Sequence, residues 1–143
     1  MNPHRIAASD ADTTDDPETG MPRFNVKRVY DAPAADDGRR VLIDRLWPRG
    51  LTKGAAALDE WCKDAAPSND LRKWVHAEPG PSDNARWDEF RRRYHAELDA
   101  APDGWGALLE HARAERVSLL TATKDPDRNH ALELLVYLES RAV

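Results

Sequence analysis

The sequence predicts a single α/β domain built on a small, mostly parallel sheet that is covered by helices. The predicted elements follow the order strand, strand, several helices, strand and helix, which is typical of a layered α/β structure. Residues 41–43 (VLI) are three consecutive apolar residues, as expected for a strand that is buried on both faces. The chain of 143 residues has the length of one ordinary domain.

The strand signals fall in both halves of the chain. Residues 24–30 (FNVKRVY) come close to alternating apolar and charged side chains, which predicts the first strand. Residues 41–47 (VLIDRLW) predict a second strand, which Pro48 would end. Residues 117–123 (VSLLTAT) predict a third strand. Residues 58–66 fit either a short helix or an irregular strand.

Two helices are predicted in the middle of the chain. Ser68 is the candidate N-cap of the first, and Ser82 or Asp83 is the candidate N-cap of the second. The apolar residues of the second helix recur at intervals of three and four, which predicts one buried face. This face consists of Trp87, Phe90, Tyr94 and Leu98.

Two further helices are predicted towards the C-terminus. The first is short and amphipathic, with its apolar residues between Trp105 and Ala112. The second is the last element of the chain. Asp125 is expected to cap it, and Pro126 is expected to occupy its first position.

The charge of the chain is unevenly distributed. The chain has 21 Lys and Arg against 26 Asp and Glu, which gives a net charge of -5. Residues 1–22 hold one basic and five acidic residues and almost no large apolar side chain, so we predict a disordered acidic tail there. The acidic balance argues against a general nucleic-acid coating protein but allows a local basic pocket.

The composition also predicts a cytoplasmic location. No apolar run is long enough for a transmembrane helix, and the N-terminus lacks the apolar core of a secretory signal. The single cysteine, Cys62, cannot form an intrachain disulfide, which fits a reducing compartment. We expect Cys62 to be a buried, inert thiol.

The first candidate site follows the second predicted strand. Ligands of open α/β sheets bind at the carboxyl ends of the strands, and this segment combines three cations with a glycine and a flat aromatic ring. Guanidinium groups and free backbone N–H groups suit a phosphate or a carboxylate. The predicted ligand-binding residues of this segment are Arg45, Trp47, Arg49, Gly50 and Lys53. The alternative is that Asp44 and Arg45 form local ion pairs and that Trp47 belongs to the core.

The second candidate site lies between the last strand and the last helix. The first N–H groups of a helix favour an anion, and Lys124 could neutralise the same anion. Asn129 and His130 are expected about one turn into the helix, within reach of a ligand. The alternative makes Asp125 a cap, Lys124 a solvated charge and His130 a surface residue.

A third group precedes the first of the middle helices. Trp61 could stack on a ring, Lys63 could add positive charge, and Ser68 could bond an anion, although capping alone is the simpler role for Ser68. Arg72 and Lys73 would add to a positive cleft if they face it.

Several common sites are absent from the sequence. The five histidines are scattered without the short spacings of a zinc site, so we predict no metal site. The glycine-rich dinucleotide and phosphate-loop motifs and the serine-nucleophile motif do not occur. Residues 91–93 (RRR) form one positive patch, which is typical of a solvated helix face.

Five segments together resemble the YeaO-like family of bacterial proteins, a branch of a larger group of domains of unknown function. They are KRVYD (27–31), GRRVLIDRLWPRGLTK (38–53), LDEWCKDAAPSNDLRKW (58–74), WDEFRRRYHAEL (87–98) and LLTATKDPDRNHALELLVYL (119–138). The resemblance implies one compact α/β domain over residues 23–143, in a bacterial cytoplasm.

One departure from the larger group bears on chemistry. Other branches carry a Cys-His-Arg string where this chain has Asn129, His130 and Ala131. The sulfur and the guanidinium are both missing, so the resemblance does not extend to a cysteine-nucleophile mechanism.

The leading functional hypothesis is a small enzyme or a binding domain for an anionic small molecule, either a nucleotide or a phosphorylated metabolite. Asp44 and Asp125 are the candidate acid–base residues if the protein is an enzyme. The alternatives are a nucleic-acid-associated protein and a non-catalytic module that binds a protein partner. No cofactor, membrane association or oligomeric state is predicted.

Overall fold

A computed structural model describes residues 23–141 of the chain. The acidic tail predicted for residues 1–22 lies outside the described residues. None of the helices in residues 23–141 combines the length and the apolar character that crossing a membrane requires.

The sheet has four strands, all parallel, which confirms the predicted α/β class. The strands are β1 (Phe24–Arg28), β2 (Arg39–Leu42), β3 (Glu60–Trp61) and β4 (Val117–Thr121). They lie side by side in the order β1-β4-β2-β3, so β4 separates the first two strands of the chain. Phe24 is paired with Val117, and Val41 with Leu119.

Three strands end earlier than the sequence predicts. β1 ends at Arg28, β2 ends at Leu42, and β4 ends at Thr121. The last ladder contact between β2 and β4 is the Ile43 N–H, which donates to the Leu120 carbonyl at 3.0 Å. At the next step the Asp44 carboxylate, in place of a backbone carbonyl, accepts the Ala122 N–H at 2.8 Å. A side chain therefore replaces the ladder, and both strands turn into loops.

The helices confirm the two elements predicted in the middle of the chain and add one short turn. They are α1 (Lys53–Ala56), α2 (Asn69–His76), α3 (Asn84–Ala100), α4 (Asp103–Ala114) and α5 (His130–Glu139). Ser68 caps α2 by accepting the Leu71 N–H, and Asp83 caps α3 by accepting the Arg86 N–H. The ambiguous residues 58–66 form β3 and a 3₁₀ turn.

The predicted start of the last helix is wrong. Asp125 and Pro126 do not open α5, which begins at His130 with Asn129 as its N-cap. The Asp125 carboxylate instead accepts the N–H groups of Asp127 and Arg128, at 2.9 and 3.1 Å. This local turn satisfies the capping group before the helix begins. The segment between β4 and α5 is therefore a longer loop than predicted.

The core lies between the sheet and the helices. The predicted face of α3 is buried along its length, with Trp87, Phe90, Tyr94 and Leu98 each at most 7% exposed. Trp87 and Phe90 stack with their ring centroids 4.7 Å apart. A smaller apolar cluster under the opposite face of the sheet contains Leu42 and Leu120.

Candidate functional site

A cleft of about 640 Å³ opens at the carboxyl ends of three neighbouring strands. Its lining includes Tyr30 after β1, residues 44–49 after β2 and residues 122–125 and 128–130 after β4. Residues of α2 and α3 also line the cleft, together with Ala66, Pro67 and Pro81. Open α/β sheets place ligands at this edge, because the loops that leave neighbouring parallel strands meet there.

The cleft brings together most of the first two predicted groups. The predicted residues that line it are Asp44, Arg45, Trp47, Arg49, Lys124, Asp125, Asn129 and His130. These residues come from loops about eighty positions apart in the chain. The parallel pairing of β2 with β4 places the two loops side by side.

Five predicted residues do not line the cleft. They are Gly50, Lys53, Trp61, Lys63 and Ser68. Lys53 begins α1 and is exposed, because residues 50–53 turn away from the sheet edge into that helix. Gly50 has a φ of 74°, so it serves the turn itself.

The third predicted group is engaged elsewhere. The Lys63 ammonium lies 4.2 Å from the centre of the Trp61 ring. The Ser68 hydroxyl donates to Glu97 at 2.6 Å and accepts the capping N–H of α2, which fits the simpler capping role. Trp61 stabilises the site without lining it, because its Nε1 donates a hydrogen bond to the Asp44 carbonyl at 2.6 Å.

Asp44 connects the two loops of the cleft. Its carboxylate accepts hydrogen bonds from the Thr121 hydroxyl at 2.7 Å and the Ala122 N–H at 2.8 Å. The His130 Nε2 lies 3.0 Å from the same carboxylate. Burial alone would raise the pKa of the Asp44 carboxyl, but the bonds from His130, Ala122 and Thr121 outweigh burial and hold the pKa below its ordinary value. Asp44 is therefore an ionised group with its oxygens occupied by the protein.

Arg45 is held by carbonyl oxygens. Its Nε donates to the Pro67 carbonyl at 3.0 Å, and its Nη2 donates to the Ala66 carbonyl at 3.1 Å. Carbonyl partners fix the position of a guanidinium without neutralising its charge. The Arg45 side chain therefore keeps its full positive charge at the lining of the cleft.

Two further arginines line the cleft. Arg72 was expected to add to a positive cleft only if it faced one, and it does line the cleft. Its Nε is buried and has no hydrogen-bond partner within residues 23–141. Arg128 was not predicted, and its Nη1 donates to the Pro81 carbonyl at 2.8 Å while its Nη2 donates to Asn84. The sequence does not indicate a role for Arg128, because the direction of its side chain depends on how the loop before α5 packs against α3.

Tyr30 is another lining residue that sequence reasoning missed, as it also missed Leu46. Tyr30 lies two positions after β1, and its hydroxyl donates to the Arg49 carbonyl at 2.7 Å. The rule that ligands bind at the carboxyl ends of strands could have found it, since β1 neighbours β4.

The cleft carries an excess of positive charge. Its five cationic side chains are Arg45, Arg49, Arg72, Lys124 and Arg128, against the carboxylates of Asp44 and Asp125. Within the part of the chain that the structure describes, none of the five lies within ion-pair distance of a carboxylate. The Asp125 pKa is lowered by the N–H groups of Asp127 and Arg128, so this residue is a turn-forming carboxylate.

The cleft is lined by cationic side chains, two carboxylates, two histidines and the hydroxyl groups of Tyr30 and Thr123. Its lining contains no cysteine or serine, and no three metal-ligating side chains come together among the described residues. Cys62 lies outside the cleft, and burial, together with the nearby charge of Glu60, raises the pKa of its thiol to about 11. This supports the inert thiol expected from the sequence.

Comparison with known proteins places the chain among relatives of similar length. A family profile described as "Inactive DUF488-N3 subclade" matches residues 23–142. An uncharacterised protein of Mycobacterium tuberculosis is 42% identical over 120 residues, which cover 83% of this chain and 96% of the relative. The uncharacterised protein YeaO of Escherichia coli is 42% identical over 114 residues, which cover 80% of this chain and 95% of that protein. No solved structure matches the chain significantly.

Proposed function

Because the chain belongs to the DUF488-N3 family, in the subclade described as inactive, we propose that it binds an anionic small molecule without transforming it. A nucleotide or a phosphorylated metabolite is the class of ligand that fits the cations of the cleft. The cytoplasmic location stays a prediction from composition, as do the acid–base roles of Asp44 and Asp125.

One observation carries this proposal. Five cationic side chains from three separate segments line a single cleft, and none forms an ion pair with a carboxylate within residues 23–141. Like charges that line the same cleft repel one another, and an anion bound among them would relieve this repulsion. Positive charge that is not paired with a carboxylate therefore supports a binding role.

The geometry supports different roles for the individual cations in binding the anion. The Arg45 guanidinium is fixed by two carbonyls and is preorganised to clamp an anion. Arg49 and Lys124 are exposed and add charge from the two loops. The first N–H groups of α5 begin at His130 and add a smaller attraction for the same anion.

Two observations favour binding over catalysis. Asn129 occupies the N-cap of α5, the position where the resemblance places a cysteine in other branches of the larger group. A thiolate at a helix N-terminus is a strong nucleophile, whereas an asparagine amide is not. The lowered pKa of Asp44 and its occupied oxygens make it a weak base. Asp44 therefore suits a supporting role better than a catalytic one.

The proposal is tested by thermal shift with nucleotides and sugar phosphates. A ligand at about 100 times its dissociation constant adds about 2.7 kcal/mol to the free energy of unfolding. Arg49→Ala should weaken the binding by about tenfold, because it removes one charge-assisted contact. Arg49 is exposed and its side chain makes no ion pair with a described residue, so the fold should be preserved.

Arg92→Ala is the matched control, since it removes an exposed arginine of α3 that lies outside the cleft. The proposal fails if no anion raises the melting temperature of the wild-type protein. It also fails if Arg49→Ala and Arg92→Ala respond equally to the ligand.

The nucleic-acid alternative would use the same cleft to hold a backbone phosphate, and the net charge of -5 argues against it. The alternative of a partner-binding module would use the acidic tail or the Arg91–Arg93 face as its contact. The tail lies outside the described part of the chain, and the arginines of the face are ion-paired with Asp88, Glu89 and Glu133.

A further inference from the structure

The cleft exposes apolar as well as cationic side chains. Within residues 23–141, the large hydrophobic side chains that are exposed are Tyr30 (41%), Leu46 (57%) and Val136 (54%). Tyr30 and Leu46 line the cleft, whereas Val136 is on α5 outside it. Two of the three exposed apolar groups therefore accompany the cations.

Tyr30 is held in a fixed position beside Arg49. Its hydroxyl donates to the Arg49 carbonyl at 2.7 Å, and the Arg28 guanidinium lies 5.0 Å from the centre of its ring. Leu46 directly follows Arg45 in the loop after β2. An anion bound by Arg45 and Arg49 would therefore lie close to both apolar groups.

An anion alone leaves much of the cleft unused. Its volume of about 640 Å³ is within the range of sites for drug-sized ligands, and Tyr30 and Leu46 expose apolar surface along it. Inorganic phosphate would leave the apolar lining in contact with water. A ligand that joins an anion to a flat, largely apolar ring would cover this lining and gain the free energy of its burial.

We propose that the ligand is a nucleoside phosphate, an inference that rests on the anion-binding function proposed above. The phosphate contacts Arg45, Arg49 and Lys124, and the base packs on Tyr30 and Leu46. A sugar phosphate without a base fits less well, because its hydroxyl groups would lose water against apolar side chains that offer no hydrogen bonds.

The test is calorimetric titration of the full chain with ribose 5-phosphate and with the four ribonucleoside monophosphates. At least one nucleotide should bind about tenfold more tightly than ribose 5-phosphate, which is the gain expected from stacking one base. Tyr30→Ala and Leu46→Ala should each reduce the ratio of nucleotide affinity to ribose 5-phosphate affinity, because they remove contacts that only the base makes.

Two variants control for indirect effects. Tyr30→Phe keeps the ring and removes only the hydroxyl, so it should retain the preference for the nucleotide. Val136→Ala truncates the exposed apolar side chain outside the cleft and should bind both ligands like the wild type.

The outcomes separate the two proposals. If ribose 5-phosphate binds as tightly as every nucleotide, the anion site stands and the nucleoside inference is wrong. The inference is also wrong if Tyr30→Ala and Leu46→Ala retain the same nucleotide preference as Val136→Ala. If neither ribose 5-phosphate nor any nucleotide binds, the proposed anion-binding function itself is overturned.

Discussion

The cleft and the outer face of α3 are both rich in arginine, but the arginines of the two regions have different partners. On α3, Arg91 contacts Glu133 at 3.1 Å and Arg93 contacts Glu89 at 2.7 Å. In the cleft, Arg45 contacts the carbonyls of Ala66 and Pro67 and no carboxylate in the described chain. One arginine cluster is internally neutralised, and the other is held in place while it remains charged.

The difference shows that a count of arginines in the sequence does not reveal which of them pair with carboxylates in the fold. The run at residues 91–93 is the most obvious cationic feature of the sequence, and its partners lie three and four residues away on the same helix or on α5. The cleft cations come from distant segments and become one group only in the fold. What distinguishes the two clusters is the nature of the hydrogen-bond acceptor, carboxylate or carbonyl.

The largest expected effect concerns Asp44, the half-buried carboxylate of the cleft. Asp44→Ala removes the acceptor of Thr121, Ala122 and His130 and leaves these groups without their bonds. It should lower the free energy of unfolding by about 3 kcal/mol, measured by urea denaturation. Glu89→Ala on α3 is the control and should change stability far less, because its ion pairs are exposed. Equal losses in the two variants would contradict the contrast between the regions.

A carboxylate added to the cleft should pair with its cations, as the carboxylates of α3 pair with the arginines of that helix. Leu46→Glu places a negative charge at an exposed lining position next to Arg45, where it can form an ion pair. The affinity for an anionic ligand should fall by about tenfold, or about 1.4 kcal/mol, in calorimetric titration. Val136→Glu introduces the same charge at an exposed position outside the cleft and should leave the affinity unchanged. A similar loss in both variants would point to net charge and away from a local site.

Lowering the pH should reduce the stability of the protein, because it protonates Asp44. Its pKa is lower in the folded protein than the ordinary value of 3.8, so its contribution to stability is fully present above about pH 4. This contribution should be lost as the pH falls below that value towards the folded pKa. The effect should be smaller than that of Asp44→Ala, because a protonated carboxyl still forms hydrogen bonds. Thermal unfolding of the wild type and Asp44→Asn between pH 7 and pH 3 measures it, and a constant difference in melting temperature would contradict it.

The smallest effect is expected from removing the partners of the α3 arginines. The bonds from Arg92 and Arg93 lower the pKa of Glu89 to about 2, so Glu89 is ionised at neutral pH. Glu89→Gln should free these arginines without creating a site, because they lie on one solvated helix face. Nucleotide affinity should match that of the wild type. A gain in nucleotide affinity would mean that unpaired arginines alone are enough to make a site.

The fold class could be predicted because its signals are local. The spacing of Trp87, Phe90, Tyr94 and Leu98 identifies the buried face of α3 without reference to the rest of the chain. The start of α5 was missed because Asp125 and Asn129 are both good capping residues. Asp125 uses its carboxylate in the preceding turn, and only the fold shows which residue caps the helix.

The residues of the cleft could be predicted only in part, because a residue lines the cleft only if the fold turns its side chain towards it. Arg45 and Lys124 follow parallel strands, so their loops had to meet at one edge of the sheet. Lys63 also follows a strand, but it lies over the Trp61 ring. Arg128 joins the cleft because the loop before α5 bonds to the Pro81 carbonyl, a contact between segments 47 residues apart.

The position of β4 has a consequence for synthesis of the protein on the ribosome. β4 is the last strand within residues 23–141, yet it provides the strand partner of β1 and one partner of β2. Until residues 117–121 leave the exit tunnel, the nascent chain can pair only β2 with β3. The complete sheet therefore cannot assemble before β4 is available, and until then β1 and one edge of β2 lack their strand partner. A chain that terminates before residue 117 would lack the centre of the sheet and the whole second loop of the cleft.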